Sequence, residues 1–389
     1  MSSFRRVCSI ICKGLLPVLF LLSPLVLATE IDALSRENMR PGVTEVSRSV
    51  YDLHNFVIWV CVGIAVVVYG VLLYSIYKYR RSQGAQSASF SHSMKAEVIW
   101  TLIPVILLVI MGIPAVNVLA KMYDSRDSEV DILVNGYQWK WSYEYLGEGV
   151  SFFSNLTSDK PNEYSVRDQI ENKAPKDAYY LLNVDNPVVI PVNTKVRFLV
   201  TANDVLHSWW VPDFAIKRDA IPGYVNESWV IVEEEGTYRG QCAELCGKDH
   251  AYMPIVVEAV SKQEYRNWLA SKKAEQAEDV ASAGREWDTQ ALLERGEAVY
   301  TTNCVVCHQA NGAGTPPVFP TLVDAPKVVG DAAATVDVVV NGVQGTAMQA
   351  FGKQLNDADL AAVITYIRSS WGNAPADPVV QPSDIASAR

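Results

Sequence analysis

Positive charge and cysteine are both in short supply in this chain of 389 residues, and each shortage excludes something. Lys and Arg number 33 against 43 Asp and Glu, a formal net charge of -10, which argues against a nucleic-acid partner and suits docking of a basic protein, although charge alone specifies none. The seven cysteines build no disulfide framework. Cys8 and Cys12 lie in an N-terminal leader and Cys61 in an apolar run; the rest form two close pairs, Cys242/Cys246 and Cys304/Cys307, neither of which looks like a structural staple. The motifs around these pairs lack substrate-shaping acids and bases but hold ligands for redox metals, so the pattern points to moving electrons rather than remodelling an organic substrate. Apolar residues are abundant. A hydrophobic content of 49% and a mean hydropathy of +0.08 are high for a purely soluble chain, and the length exceeds one ordinary domain.

Residues 1–28 carry Arg5, Arg6 and Lys13, then the apolar run Leu15 to Leu27 and a small-residue cut after Ala28, which predicts a secretory signal peptide. The alternative is a third, uncleaved helix, for which the apolar core is short; either option delivers the next segment to the outer side. Two runs, 56–77 and 98–120, are almost wholly apolar, and 22 residues at 1.5 Å each span about 33 Å, enough to cross a bilayer. Pro104 and Pro114 in the second are tolerated where neighbouring helices satisfy the freed carbonyls. A transmembrane helical hairpin is therefore expected within 29–123. Its connecting loop holds Lys78, Arg80, Arg81 and Lys95, whereas Asp124, Asp127, Glu129 and Asp131 follow the second helix, which puts the loop on the cytoplasmic side and both chain ends outside.

In the domain expected over 124–270, strand signals dominate beyond residue 128: Val130 to Val134, the alternating run Tyr137 to Tyr145, Val188 to Ile190, Val196 to Thr201, Trp229 to Val232 and Ile255 to Val260, with Glu264 to Ala270 beginning a terminal helix. Residues 146–178 are polar and without period, and read as a long insertion or loop. The Ala, Glu and Lys-rich stretch 271–287 reads as a solvated linker. A third, helical domain occupies 288–373, with Asn356 as an N-cap before Leu360, Val363, Ile364 and Ile367 on one face. Residues 374–389 look like a disordered tail.

Within the β-domain stands Cys242-Ala-Glu-Leu-Cys246-Gly-Lys-Asp-His250-Ala-Tyr-Met253, with His207 upstream in Asp204-Val-Leu-His207-Ser-Trp209. Thiolate, imidazole and thioether suit both oxidation states of copper. Two thiolates, two imidazoles and a thioether exceed the needs of one ion; a physical solution is two copper ions bridged by both sulfurs, each capped by one histidine. A Cys242–Cys246 disulfide would leave His207, His250 and Met253 unexplained, and a two-cysteine, two-histidine zinc site has no use for Met253. Taken alone, His207 reads as a core or surface histidine and Met253 as a packing residue.

These motifs, with Asp219-Ala-Ile-Pro-Gly223 and Gly240-Gln-Cys242, resemble the second subunit of haem-copper cytochrome c oxidases over roughly 45–270. The resemblance implies a cupredoxin-like β-barrel whose binuclear copper A centre takes His207, Cys242, Cys246, His250, Met253 and the backbone carbonyl of Glu244. It further implies that the Glu244 carboxylate binds magnesium shared with the catalytic subunit. Tyr224 departs from the family's usual arginine after Pro-Gly, which touches one interface contact. Trp139 resembles the family's entrance for electrons from cytochrome c; the competing reading is an aromatic strand face shared by Tyr137, Trp139, Trp141, Tyr143 and Tyr145. Glu97 resembles the carboxylate at the mouth of a proton channel, against a plain interfacial residue.

Cys304-Val-Val-Cys307-His308 is the attachment signature for c-type haem: two cysteines one helical turn apart form thioethers and the next histidine reaches the iron. A zinc or dithiol site is the alternative, and no second cysteine pair in this domain supports it. A thioether sixth ligand would favour ferrous iron, and Met348 is the only methionine after residue 253. The loop Gly345-Thr-Ala-Met348 resembles the ligand loop of small class I cytochromes c, and Pro316-Pro-Val-Phe-Pro320 the segment beside their proximal histidine.

The fold expected is thus multidomain: a two-helix transmembrane hairpin, a cupredoxin-like β-barrel and a small all-α cytochrome c domain. The resemblance implies a cytochrome c oxidase component in the bacterial cytoplasmic membrane, multi-pass, with its metal domains on the periplasmic face. Electrons would pass from a cytochrome c-type donor through haem c and copper A to catalytic subunit I, where oxygen is reduced with proton translocation. Expected partners are that subunit, other oxidase subunits and membrane lipid, with no nucleic acid. A quinol oxidase subunit would lack the copper ligands; a membrane-tethered copper-delivery or thiol-redox assembly factor, the other alternative, would not need a haem.

Overall fold

The fold comes from a computed structural model that describes residues 38–86, 91–161 and 163–389. The expected signal peptide, with Cys8 and Cys12, lies outside them. The described residues fall into two units, one running to Asp124 and including Pro212–Ile216, the other comprising Ser125–Val211 and Lys217–Arg389.

The first unit holds α1 (Glu45–Lys78) and α2 (Met94–Met122), both long and apolar enough to cross a membrane. Helix α1 has 34 residues, about 51 Å, and starts eleven residues before the apolar run. Its start is set by a cap rather than by hydropathy: the Thr44 hydroxyl accepts from the Ser47 amide at 2.9 Å in a capping box. Helix α2 stays continuous through Pro104 and Pro114. Lys121, near the end of α2, pairs with Glu45 at the start of α1.

The second unit opens with a β-sandwich. Its strands are β1 (Val130–Tyr137), β2 (Lys140–Tyr145), β3 (Val150–Ser154), the short β4 (Leu156–Thr157) and β5 (Asn183–Val184), β6 (Val188–Pro191), β7 (Val196–Ala202), β8 (His207–Val211), β9 (Ile216–Ala220), β10 (Asn226–Val230), β11 (Gly236–Cys242) and β12 (Pro254–Val260). One sheet runs β10-β7-β1-β2-β3 and the other β6-β12-β11-β8-β9. This is the cupredoxin-like arrangement. Alternate residues Ile132, Val134, Phe198 and Val200 are fully buried, as period-two patterning requires. Polar tips of the core aromatics are satisfied: the Tyr145 hydroxyl donates to the Val189 carbonyl at 2.8 Å, and Trp209 Nε1 donates to the Tyr143 hydroxyl at 3.2 Å.

The single strand expected over Tyr137 to Tyr145 is instead a hairpin, with Tyr137 opposite Lys140 and Gly136 opposite Trp141. The Gln138 amide donates to the Asp204 carboxylate at 2.7 Å, which fixes the reversal at Gln138-Trp139. Tyr137 and Trp141 therefore point to opposite faces, and of the five aromatics expected on one face only Trp141, Tyr143 and Tyr145 share it, all buried on β2. Residues 146–178 are also not one loop. They contain β3, β4 and the one-turn helix α3 (Val166–Ile170), capped by Ser165.

Most of the expected linker, residues 271–283, is part of helix α4 (Lys262–Ala283), 22 residues long. Tyr265 and Trp268 anchor it, stacked 6.1 Å apart with Trp268 5.1 Å from Tyr145, and Lys273 pairs with Glu148 at 2.6 Å. The helical domain follows with α5 (Thr289–Asn303), α6 (Val305–His308), α7 (Pro326–Val329), α8 (Ala332–Asn341), α9 (Asp357–Ser369) and α10 (Pro382–Ala388). Gly296 of α5 lets α9 approach so closely that a Cβ would lie 2.2 Å from the Ala362 carbonyl oxygen. The presumed disordered tail is folded: Val380 and Ile385 are buried in the domain core, and Thr365 exchanges hydrogen bonds with the Val380 backbone.

Candidate functional site

Three strand ends assemble the first site. Cys242 closes β11 opposite Trp209, His207 opens β8, and Met253 stands directly before β12. Backbone bonds lock the junction: Ala243 N donates to the Ser208 carbonyl at 3.0 Å and Cys242 N to the Met253 carbonyl at 3.2 Å. The rigid ladders thus hold a short loop whose donor atoms converge. The sulfurs of Cys242 and Cys246 lie 3.8 Å apart, Cys242 is 3.9 Å from His207 Nδ1, and Cys246 is 3.5 Å from both His250 Nδ1 and the Met253 sulfur. The Glu244 carbonyl lies 3.3 Å from the Cys242 sulfur. All six donors of the expected copper set are therefore brought together, and His207, Cys242, Cys246 and Met253 are buried.

The electrostatics suit a metal that replaces protons. The hydrogen bond from Cys246 pulls the Cys242 thiol well below the ordinary thiol range, with burial opposing and His207 assisting; Cys246 is pushed up by the same shared bond and by burial. Burial works against a charge on His207, but hydrogen bonds to Asp204 and Cys242 outweigh it and raise its pKa. His207 Nε2 donates to Asp204 at 2.9 Å, which turns Nδ1 toward the sulfurs. The donor set of two thiols, two imidazoles, one thioether and a carbonyl fits a sulfur-bridged pair of copper ions better than a single tetrahedral ion.

The second site lies where α5 ends. Cys304 is the C-cap of α5, and the single turn α6 carries Cys307 and His308, so both thiols and the imidazole occupy one corner of the helical domain. Burial pushes Cys304 up to about 12, lowers His308 and raises Cys307. His308 Nδ1 donates to the Pro320 carbonyl at 3.0 Å, leaving Nε2 for iron. Met348 and Cys304 both pack against the domain core. The Met348 loop is held by the Val343 amide, which donates to the Met348 carbonyl at 2.9 Å. The residues fit a covalently attached haem with a histidine ligand on one side.

The remaining expected residues stand apart in kind. Trp139 is half-buried in the β1–β2 turn, and its Nε1 donates to the Cys246 carbonyl at 3.2 Å. The Glu244 side chain is half-exposed, Tyr224 is exposed, and Glu97 is half-exposed in the first turn of α2. Sequence reasoning missed Asp204 and Gln138. Asp204 carried a signal, its three-residue spacing from His207; Gln138 carried none, because its bonds to residue 246 cross 108 positions.

A membrane-anchored, cupredoxin-type redox subunit carrying a cytochrome domain is the class of protein that this fold and these sites define. The family models agree: residues 34–118 match "Cytochrome C oxidase subunit II, transmembrane domain", 130–260 match "Cytochrome C oxidase subunit II, periplasmic domain", and 291–367 match "Cytochrome C oxidase, cbb3-type, subunit III". "Probable cytochrome c oxidase subunit 2" of Rickettsia bellii (strain RML369-C) is 40% identical over 234 residues, 60% of this chain and 82% of the relative. "Cytochrome c oxidase subunit 2" of Cereibacter sphaeroides is 35% identical over 59% of this chain and 78% of its own. A crystal structure of the periplasmic domain of subunit II (CoxB) of Bradyrhizobium japonicum shares 37% identity, covers 39% of this chain and 98% of that one, and superposes with a TM-score of 0.34. The chain belongs to the cytochrome c oxidase subunit II family, and it carries a C-terminal cytochrome c domain.

Proposed function

We propose that this chain is the electron entrance of a terminal respiratory oxidase. The reading assigns residues 29–123 to the membrane hairpin, 124–270 to the copper domain and 288–373 to the haem domain. His207, Cys242, the Glu244 carbonyl, Cys246, His250 and Met253 hold the two ions of copper A. Cys304 and Cys307 would attach haem c, with His308 and Met348 as the residues that would hold its iron. When bound, both groups supply reversible one-electron chemistry.

The chain's own residues bind, orient and insulate. Asp204 holds His207 in the tautomer that offers Nδ1, and the Pro320 carbonyl does the same for Nε2 of His308. Burial of His207, Cys242, Cys246 and Met253 excludes water, and the β8, β11 and β12 ladders fix the donors so that little rearrangement accompanies a change of charge. A cytochrome c-type protein supplies electrons; catalytic subunit I receives them and reduces oxygen to water with proton translocation. Glu244 offers its carboxylate to magnesium at the boundary with that subunit, and Glu97 marks the start of a proton channel. The chain spans the bacterial cytoplasmic membrane more than once, with its metal domains in the periplasm.

The observation that carries this reading is the convergence of two thiols, an imidazole and a thioether of one loop with the His207 imidazole of β8, with donor-to-sulfur distances between 3.5 and 3.9 Å. Elemental analysis of the purified oxidase, with EPR, tests it. The expected result is two coppers in this chain for each haem c and a delocalised mixed-valence signal that Cys246→Ser abolishes. One copper per chain contradicts it.

A further inference from the structure

The turn between β1 and β2 touches more than the copper loop. On one side, Gln138 Nε2 and Trp139 Nε1 both donate to the Cys246 carbonyl, at 2.9 and 3.2 Å. Gly247 permits this approach: a Cβ there would lie 3.1 Å from both side chains, and its φ of +118° is one that other residues rarely adopt. On the other side, the same turn meets the helical domain. Gln349 Nε2 donates to the Gln138 carbonyl at 2.8 Å, and Lys140 Nζ donates to Asn303 Oδ1 at 3.1 Å. The Lys140 ammonium also lies 4.6 Å from the centre of the Phe153 ring and 5.4 Å from that of Phe351.

Sequence position gives these contacts their meaning. Gln349 follows Met348 and Asn303 precedes Cys304, so each grip is one residue from a residue assigned to the haem; Gln138 and Lys140 flank Trp139. Three consecutive residues therefore bond the copper loop, the end of α5 before Cys304 and the Met348 loop. Lys140 retains only 7% of its surface, an expensive placement for a long cation that solvent would otherwise hold.

We propose that Gln138-Trp139-Lys140 is an intrachain docking joint, on which Gln349 and Asn303 seat the chain's own haem domain so that Trp139 serves the haem-to-copper step. This rests on the metal assignments above. The step relayed is a one-electron transfer, haem oxidised and copper reduced, with no bond made or broken. Gln349, Gln138, Lys140 and Asn303 are positioning residues: they hold the two loops at fixed separation, and rate depends steeply on such placement.

The test uses the full chain in the assembled oxidase. Amine acylation read by mass spectrometry reports whether Lys140 is covered, with exposed Lys217 as reference; Lys140 is expected to react about tenfold more slowly. In Gln349→Glu, which keeps the side-chain length but loses the donor, and in Gln349→Ala with Asn303→Ala, Lys140 labelling should rise several-fold. Photoinduced haem-to-copper transfer should slow about tenfold, with the haem spectrum and copper signal unchanged. Lys140 labelling as fast as Lys217 in the wild-type chain overturns the joint. So do variants that alter neither readout, or that raise labelling while transfer is untouched. Absence of haem c or paired copper from the wild type would defeat the metal assignment instead, and Lys140 labelling would still decide the docking because it reads the polypeptide alone.

Discussion

Asp204 and Lys140 show how much of the site depends on residues that touch no metal. Asp204 accepts from His207 Nε2 and from the Gln138 amide, so one carboxylate fixes both an imidazole and a turn. Asp204→Asn should therefore weaken copper binding by about 10- to 100-fold in a competitive chelator titration; unaltered affinity would mean that the loop orients His207 unaided. Lys140 is held down to about 8 from 10.5, chiefly by burial. Because its folded pKa is below the unfolded one, the unfolded chain binds more protons between those values, and stability rises with pH across that window. Relative to Lys140→Met, wild-type stability to denaturant should climb by up to about 3 kcal/mol from pH 8 to 10.5. A flat difference would show that Lys140 is not buried as a cation. The converging donors Cys242, Cys246, His250 and Met253 were legible because Cys, His and Met at such close spacing are a distinctive pattern. Gln138, Lys140 and Asn303 were silent because polar residues in turns and helix ends are ordinary until a fold brings them together.

At the scale of elements, periodicity exposed most of the strands and both apolar helices, while four segments were misjudged, 146–178 among them, three of them for clear physical reasons. The run from Tyr137 to Tyr145 has perfect alternation, but a turn held by Asp204 preserves that alternation in sequence while reversing the chain. The stretch after Ser271 has no apolar face because α4 is anchored at its N-terminal end, by Tyr265 and Trp268, and continues as a charged helix secured by Lys273 and Glu148. The tail hides its value in two residues, Val380 and Ile385, too few to make a pattern. If α4 is continuous, Ala277→Pro should cost about 3 kcal/mol of local helix stability and open a protease site between 271 and 285 that the wild-type chain resists. Equal cleavage of both would restore the picture of a flexible tether.

Across the whole molecule, the fold class could be read from composition and motif together: two apolar helices, a β-sandwich and a helical domain, each with its own periodicity. The contact of the helical domain with the β1–β2 turn beside the copper loop could not, because Gln138 and Gln349 lie 211 positions apart and no local rule couples them. That contact makes one chain out of two redox modules. The most direct measurement of the central claim is time-resolved absorption of the intact chain after a light pulse injects one electron into its haem. The expected result is that the haem reoxidises with the same time constant as the copper absorbance changes, independent of protein concentration. A haem that stays reduced beside oxidised copper until a mediator is added would contradict it.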